Sequence, residues 1–383
     1  MNKKLLYAGV ALMALMSSCS SDSADDAPSI DTSKVKVENS DVEIHLSTSS
    51  VRTRASIDSD EDGSFSLDSL GVFCLAKGDL NVNPVELPIN WSRYVSNDHW
   101  SIWMDNVKSN AVKESNGTAI KWADPEAVYM YPTGNWHSYD FYAYYPYQHI
   151  TDVDGEVVST SIALDGTQDI IWGRTSSEDP LAYSAKYFRS SAAQSPALSM
   201  SHRLMRITFS IVAGRDSTGS KDAAKTMGVK SLKLIDVPAQ AKLIIADRHN
   251  PENDGKIEAD WNWNLTQYDL KDPEDAAFPE LDAEENLGYW VKDNEQTLGQ
   301  GFLLPVPEDG HTFRIHVVLQ NKDGVVFDLH EYPIDLALKD GFKFEAGKSY
   351  NVRITINGPE EIKLKASLRQ WEQVNDSMDD REF

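Results

Sequence analysis

Two short segments carry side chains at spacings that could bind ions. Asp58 to Gly63 places aspartates at positions 1, 3 and 5 and glycine at position 6, as a calcium loop does. Position 12 is Ser69 instead of the bidentate glutamate, so we interpret this segment as a solvated acidic turn. Gly214 to Lys221 approaches the phosphate-loop pattern, but Ser220 separates the second glycine from the lysine. We predict an exposed connection between two strands there.

Catalytic and metal-binding patterns are missing from the sequence. The nine histidines are scattered, none forms His-Glu-x-x-His, and no Gly-x-Ser-x-Gly motif is present. Paired carboxylates carry no information in a chain with 60 acidic residues. We therefore predict a protein that is not an enzyme and uses no metal and no cofactor. A hydrolase is the alternative, since catalytic residues need not be adjacent in sequence.

The N-terminal segment ends on a cysteine that could carry a lipid. Two lysines and a twelve-residue apolar stretch precede two serines and Cys19, the pattern of a secretory signal peptide. Twelve apolar residues are too few for a membrane span, which needs about 20. We predict a lipoprotein signal peptide over residues 1–18, a lipid such as palmitate on Cys19 and an acidic tether over 19–34. An ordinary signal peptide or a short membrane helix is the alternative.

Charge and composition exclude several kinds of partner. The formal net charge of −24 argues against binding to nucleic acid or to an anionic membrane surface. The 41% apolar and 10% aromatic residues are enough for packed cores. If Cys19 carries lipid, Cys74 has no cysteine left with which to form an intramolecular disulfide. The 365 residues that follow the signal peptide predict two domains.

Short alternating segments predict an all-β chain. Val42, Ile44 and Leu46 alternate with polar residues, which predicts one first strand. The other predicted strands include 140–145, 206–212, 313–319 and 350–356, and Asn321 to Gly324 predicts a hairpin turn. Many short strands with polar turns indicate β-sandwiches or barrels. A segment rich in Ser and Ala near residue 195 suggests domains over 35–198 and 199–383.

Two arginines follow the first predicted strand. Arg52 and Arg54 stand among serines and threonines, a good substrate for an Arg-specific protease. Cleavage after Arg54 would remove the segment that carries Val42, Ile44 and Leu46. If that segment belongs to a sheet, its loss leaves an apolar groove and unpaired backbone groups that could recruit another strand.

The C-terminus offers a strand of matching period. Ile362, Leu364, Ala366 and Leu368 alternate with polar residues, and the predicted donor segment lies near 360–372. Either set of apolar side chains could fill one groove. The alternative is that both segments are ordinary sandwich strands that never exchange.

Several motifs, in this order, resemble the fimbrillin family of Gram-negative anaerobes. Cys19 comes first, and the later motifs are Thr53–Ser56, Leu70–Phe73, Asp140–Pro146, Ser201–Met205 and Phe344–Tyr350. The resemblance covers nearly the whole chain, from Cys19 to about Trp371. It implies two transthyretin-like β-sandwich domains in tandem and a role as a subunit of a cell-surface pilus that supports adhesion.

The resemblance also implies a maturation route. The precursor would be anchored in the outer membrane through lipid on Cys19 and cut after Arg54, or after Arg52, by an Arg-specific protease. The segment 362–368 of a neighbouring subunit would then fill the vacated groove, so the partners would be copies of this chain or related subunits. The alternatives are a pilus anchor, a tip subunit, or a glycan-binding lipoprotein that exposes the tryptophans at 91, 100, 103 and 136.

Overall fold

The architecture is all-β, as the sequence predicts. A computed structural model describes residues 39–49, 67–77, 102–115, 117–133, 139–175, 177, 182–190, 196–262, 265–270, 278–305, 314–333, 344–359 and 361–369. Twenty-two strands and two short helices are assigned within these ranges.

The N-terminal half closes into a barrel. Its elements are β1 (Asn39–Glu43), β2 (Leu46–Ser49), β3 (Leu67–Ala76), β4 (Ile102–Glu114), β5 (Gly117–Trp122), β6 (Met130–Pro132), β7 (Tyr139–Tyr145), β8 (Asp152–Asp154), β9 (Val157–Ala163), β10 (Ile171–Arg174), α1 (Ala185–Ser190) and β11 (Ala197–His202). Seven of these strands hydrogen-bond in the closed order β10-β11-β2-β5-β4-β3-β7. The β2–β11 pair is parallel and all other neighbours in the barrel are antiparallel.

Aromatic residues fill both faces of β7. Tyr139, Phe141, Tyr142 and Tyr144 are buried, and β7 lies between β3 and β10 in the barrel. Large aromatic side chains bury more apolar area than other residues, so this strand anchors the core of the N-terminal half. A strand buried on both faces shows no polar alternation, which agrees with the continuous aromatic run in the sequence.

The C-terminal half is built from further antiparallel and mixed sheets. Its elements are β12 (Met205–Ala213), α2 (Asp222–Lys225), β13 (Met227–Pro238), β14 (Gln240–Asp247), a 3₁₀ turn (Pro251–Asn253), β15 (Ile257–Glu258), β16 (Leu265–Asp269), β17 (Tyr289–Trp290), β18 (Gln296–Leu303), β19 (Arg314–Asn321), β20 (Val326–Pro333), β21 (Ser349–Gly358) and β22 (Glu361–Arg369). One sheet has the order β18-β12-β21-β22, and another has the order β16-β13-β19-β20, with β17 also paired to β13.

Two connections test the turn predictions. The predicted hairpin joins β19 to β20, and Gly324 N–H donates to Asn321 O at 3.0 Å. We predicted that the segment 214–221 connects two strands directly. It leads instead into the single helical turn α2, and the strand β13 follows that turn. Asp216 accepts the backbone N–H groups of Thr218 and Ser220, and Ser220 Oγ accepts the N–H of Asp222, where α2 begins. The loop thus satisfies its own polar groups and starts a helical turn.

A third sheet joins the two halves. β9 of the N-terminal half pairs antiparallel with β14 of the C-terminal half, and the sheet has the order β15-β14-β9-β8. In addition, β11 continues past residue 198 and remains paired with β10 as far as His202. In terms of sheets, the N-terminal half therefore extends to His202, and the halves share a continuous ladder.

The barrel wall leaves no room for a side chain at Gly71. A Cβ atom there would lie 2.2 Å from Tyr144 Cε1 and 2.6 Å from Asn106 Oδ1. We expect Gly71→Ala to lower the free energy of unfolding by about 1–3 kcal/mol, because the buried Tyr144 ring must move. Gly358→Ala is the matched control, since no atom lies within 4 Å of its Cβ position. Urea unfolding of residues 20–383 measures both, and equal midpoints would contradict this packing.

Candidate functional site

The first predicted strand is buried as expected but is divided into two. The side chains of Ile44 and Leu46 are 0% and 3% exposed, and Val42 packs half-buried against the same core. The prediction of one continuous strand is wrong, because the chain changes neighbours at Ile44–His45. β1 pairs with β6, Ile44 N–H donates to Tyr129 O at 2.8 Å, and β2 then enters the barrel. Alternate side chains still face the core across the break.

β2 fills a slot between two strands that are distant in sequence. Leu46 lies opposite Ile120 of β5 in the antiparallel register, and Ser47 lies opposite Ala197 of β11 in the parallel register. Ser47 N–H also donates to Pro196 O at 3.0 Å. Without β2, the facing edges of β5 and β11 would lose their ladder partners, and backbone groups left unpaired attract another strand.

The walls of this slot were not identified from sequence. Ile120 is 5% exposed and Leu198 is 0% exposed, and both lie in short strands that no pattern connects with residue 46. Alternation identifies a buried face but not its partner strand. For these positions the sequence offers only a weak signal, which is an apolar residue within a short segment typical of a strand.

The C-terminal segment forms the predicted strand and pairs within its own chain. β22 runs antiparallel to β21, with Ile362 opposite Ile356, Leu364 opposite Ile354, Ala366 opposite Val352 and Leu368 opposite Tyr350. Ile362 is buried, and Leu364 packs half-buried against the core. β22 stands at the end of its sheet, so one ladder holds it, whereas β2 takes part in two.

A carboxylate anchors β21 from the neighbouring segment. Glu295 accepts hydrogen bonds from Ser210, from Asn351 Nδ2 at 3.1 Å and from Arg353 Nε at 2.7 Å. Burial alone would raise the pKa of Glu295, but these three hydrogen bonds and the Arg353 charge lower it below its usual value. The network ties β12 and β21 together beneath the edge strand β22.

Several predicted site residues lie outside the described residues. These are Cys19, Arg52, Arg54, the acidic segment 58–63 and the tryptophans at 91, 100 and 136. Trp103 is described, and its half-buried ring donates from Nε1 to Met130 O at 2.7 Å. This hydrogen bond ties Trp103 of β4 to β6.

The described residues contain neither a cluster of metal ligands nor a membrane-spanning helix. Within those ranges no group of three or more His, Cys, Asp or Glu side chains is placed to hold a metal ion. No helix in the same ranges has the length and apolar composition needed to cross a membrane.

Truncation of the first segment should reveal its share of the core. Ile44→Ala removes a fully buried side chain and is expected to lower the free energy of unfolding by about 2–5 kcal/mol. His45→Ala, one residue along and exposed, should stay within about 0.5 kcal/mol of the parent. Urea unfolding of residues 20–383 measures both changes. A loss at Ile44 no larger than that at His45 would rule out this placement.

Because of the Glu295 network, the free energy of unfolding should fall as the solution becomes acidic. Because folding lowers the pKa of Glu295, the network stabilises the protein above the unfolded-state glutamate pKa of about 4.3. That stabilisation is lost as the pH falls through the lower pKa of the folded state. We expect Glu295→Gln to lower the melting temperature at pH 7, and the difference from the parent to shrink below pH ~4. Glu252→Gln, at an exposed position, should change neither the melting temperature nor its dependence on pH. If Glu295→Gln lowered the melting temperature by the same amount at every pH, the lowered pKa of Glu295 would be contradicted.

Comparison with known proteins gives a family and several distant structural likenesses. The fold is similar to that of a candidate cell adhesion protein from Bacteroides uniformis, with 14% identity and a TM-score of 0.48. The match covers 86% of this chain and 98% of the Bacteroides uniformis chain. A candidate cell adhesion protein from Parabacteroides distasonis is matched over 88% and 98% of the two chains, with 12% identity and a TM-score of 0.46. The fimbrial anchor protein Mfa2 from Porphyromonas gingivalis is matched over 86% and 97%, with 9% identity and a TM-score of 0.34.

The family assignment rests on sequence. No curated protein matches the chain. A family model described as Fimbrillin-like matches residues 53–371, which is most of the chain and includes every barrel strand except β2. The chain therefore belongs to the fimbrillin-like family.

Proposed function

We propose that this protein is a structural subunit of an adhesive cell-surface pilus and assembles by strand exchange. The observation that carries the proposal is the position of β2, a four-residue strand between β5 and β11 with Leu46 buried. Removing this strand would open the barrel at one place and leave the rest of its ladders intact. Membership of the fimbrillin-like family supports a role in pili and adhesion.

The proposed maturation follows the predicted route. The precursor is exported, carries a lipid on Cys19 and is anchored in the outer membrane. An Arg-specific protease cuts after Arg54, or after Arg52, and releases the segment that contains β1 and β2. The family match begins at Thr53, next to both arginines, so the shared part of the family is the part that would remain.

The proposed donor is the C-terminal strand of a neighbouring subunit. β22 is held by β21 alone, whereas the slot of β2 offers ladders on both sides. Moving β22 from its own edge into that slot would exchange one ladder for two. A side chain that goes from exposed to fully buried adds about 1.5–3 kcal/mol, so Ile362, already buried beside β21, and Ala366 add less. The proposal also retains two tandem transthyretin-like domains as the fold of each subunit.

Assembly after trimming tests this function. Residues 20–383 are treated with an Arg-specific protease, the new N-terminus is read by mass spectrometry, and unboiled samples are run on denaturing gels. We expect a chain that begins at Ala55 and a ladder of oligomers. Arg52→Ala combined with Arg54→Ala should prevent both cleavage and the ladder.

A matched pair of variants separates strand exchange from aggregation. Leu364→Asp with Leu368→Asp places charges on the apolar face of the donor strand and should abolish the ladder. Lys363→Asp with Lys365→Asp changes the charge of the opposite face of the strand and should leave the ladder of oligomers intact. A protein that is cut at Arg54 but stays monomeric would contradict the polymerising role. A protein that resists cleavage would instead point to an anchor subunit that keeps its first strand.

A further inference from the structure

A cavity of about 540 Å³ lies in the C-terminal half, beside β15 of the sheet that joins the two halves. Its lining comes from the β11–β12 connection, from β15 and the residues around it, and from the chain after β18. The residues that matter for its chemistry are Arg203, Lys256, Ile257, Trp261, Leu304 and Pro305. Pockets that bind small molecules commonly measure about 300–1,000 Å³.

Arg203 brings a positive charge to this cavity. Its guanidinium stacks on the Trp172 ring, with Cζ 4.5 Å from the ring centre. The buried Nε has no hydrogen-bond partner among the described residues. Trp172 is held in place because its Nε1 donates to Ile245 O at 2.9 Å. The stacking therefore fixes the guanidinium, and its Nε–H donates to no acceptor among the described residues.

The carboxylate of Asp254, whose charge acts on Arg203, already binds other groups. Asp254 Oδ1 accepts the N–H of Asp247 at 2.7 Å, and Oδ2 is bound by Arg174. Burial lowers the pKa of Arg203 to about 10, although the negative charge of Asp254 acts in the opposite direction. A partly buried guanidinium with an unpaired Nε is costly to a fold, and an anion bound in the cavity would offset that cost.

The backbone is shaped to admit this arginine. Gly255 has a φ of +73°, and a Cβ atom there would lie 2.5 Å from Arg203 Nη2 and 2.6 Å from the Trp172 ring. Any other residue would push the guanidinium off the indole. The turn after the 3₁₀ segment is thus built around the Arg203–Trp172 pair.

We propose that the cavity binds a carboxylate-bearing sugar ring, with the carboxylate on Arg203 and the ring against Trp261. Guanidinium and carboxylate form paired, charge-assisted hydrogen bonds. Ile257, Leu304 and Pro305 supply apolar wall, and aromatic side chains suit the flat face of a sugar. Lys256 and the exposed Glu258 can bond hydroxyl groups, which a simple aliphatic acid lacks. This inference goes beyond pilus assembly and does not depend on strand exchange.

Calorimetric titration of residues 20–383 tests the site with four probes. Glucuronic acid is the expected ligand, glucose is its neutral counterpart, benzoate is a ring-bearing acid without hydroxyls, and inorganic phosphate is an anion without a ring. We expect glucuronic acid to bind at least ~10-fold more tightly than each of the others, because it alone has both a carboxylate for Arg203 and a hydroxylated ring for Trp261. Equal binding of glucose, or no binding of glucuronic acid, would overturn the proposal. Benzoate or phosphate binding as tightly as glucuronic acid would overturn the assignment to a sugar acid.

Two variants and a control keep the test independent of folding. Arg203→Met should weaken glucuronic acid binding at least ~10-fold while leaving the melting temperature equal or higher, because it removes a buried charge. Ala259→Phe fills part of the cavity, leaves Arg203 in place and should also block binding. Arg215→Met removes the same charge from an exposed turn and should bind as the parent does. Unchanged affinity in both cavity variants would refute the site. All three should still form ladders after trimming, so this proposal and the assembly proposal fail separately.

Discussion

The N-terminal barrel depends on one short strand for its closure. β2 contributes only four residues, yet it completes the ladders of β5 and β11 and covers the core with Leu46. Backbone amide and carbonyl groups that face an unfilled slot are costly to leave unpaired. The ladders of β5 and β11 are therefore complete only with a strand in this slot. The importance of β2 comes from its position and not from its length.

Much of the fold could be predicted from local pattern. The alternation around Ile44 and Leu46 identified a buried face, and the aromatic run of β7 identified a strand buried on both faces. The break between β1 and β2 could not be predicted, because it arises when the chain exchanges β6 for β5 as its neighbour. Such partners are separated by about 70 to 90 residues of chain, and periodicity contains no information about them.

The division into halves shows the same limit of sequence reasoning. The predicted boundary at residue 198 falls inside β11, and β9 pairs with β14 across the halves. The Arg203–Trp172 stack depends on this junction, because Trp172 belongs to β10, whereas Gly255 follows β14. No sequence motif indicates that these residues meet. Their proximity is a product of the shared sheet.

The parallel pairing of β2 with β11 has a consequence for any assembly built on this slot. A strand that replaces β2 must run in the same direction, since β11 accepts it in parallel and β5 in antiparallel orientation. If the replacing strand is the C-terminal segment of a second molecule, the contact joins unlike surfaces. One molecule then keeps an unfilled slot, and the other keeps an unused C-terminal strand. Such head-to-tail contacts generate open filaments in preference to closed dimers. The resulting fibre would be polar, with an unfilled slot at one end and an unused C-terminal strand at the other.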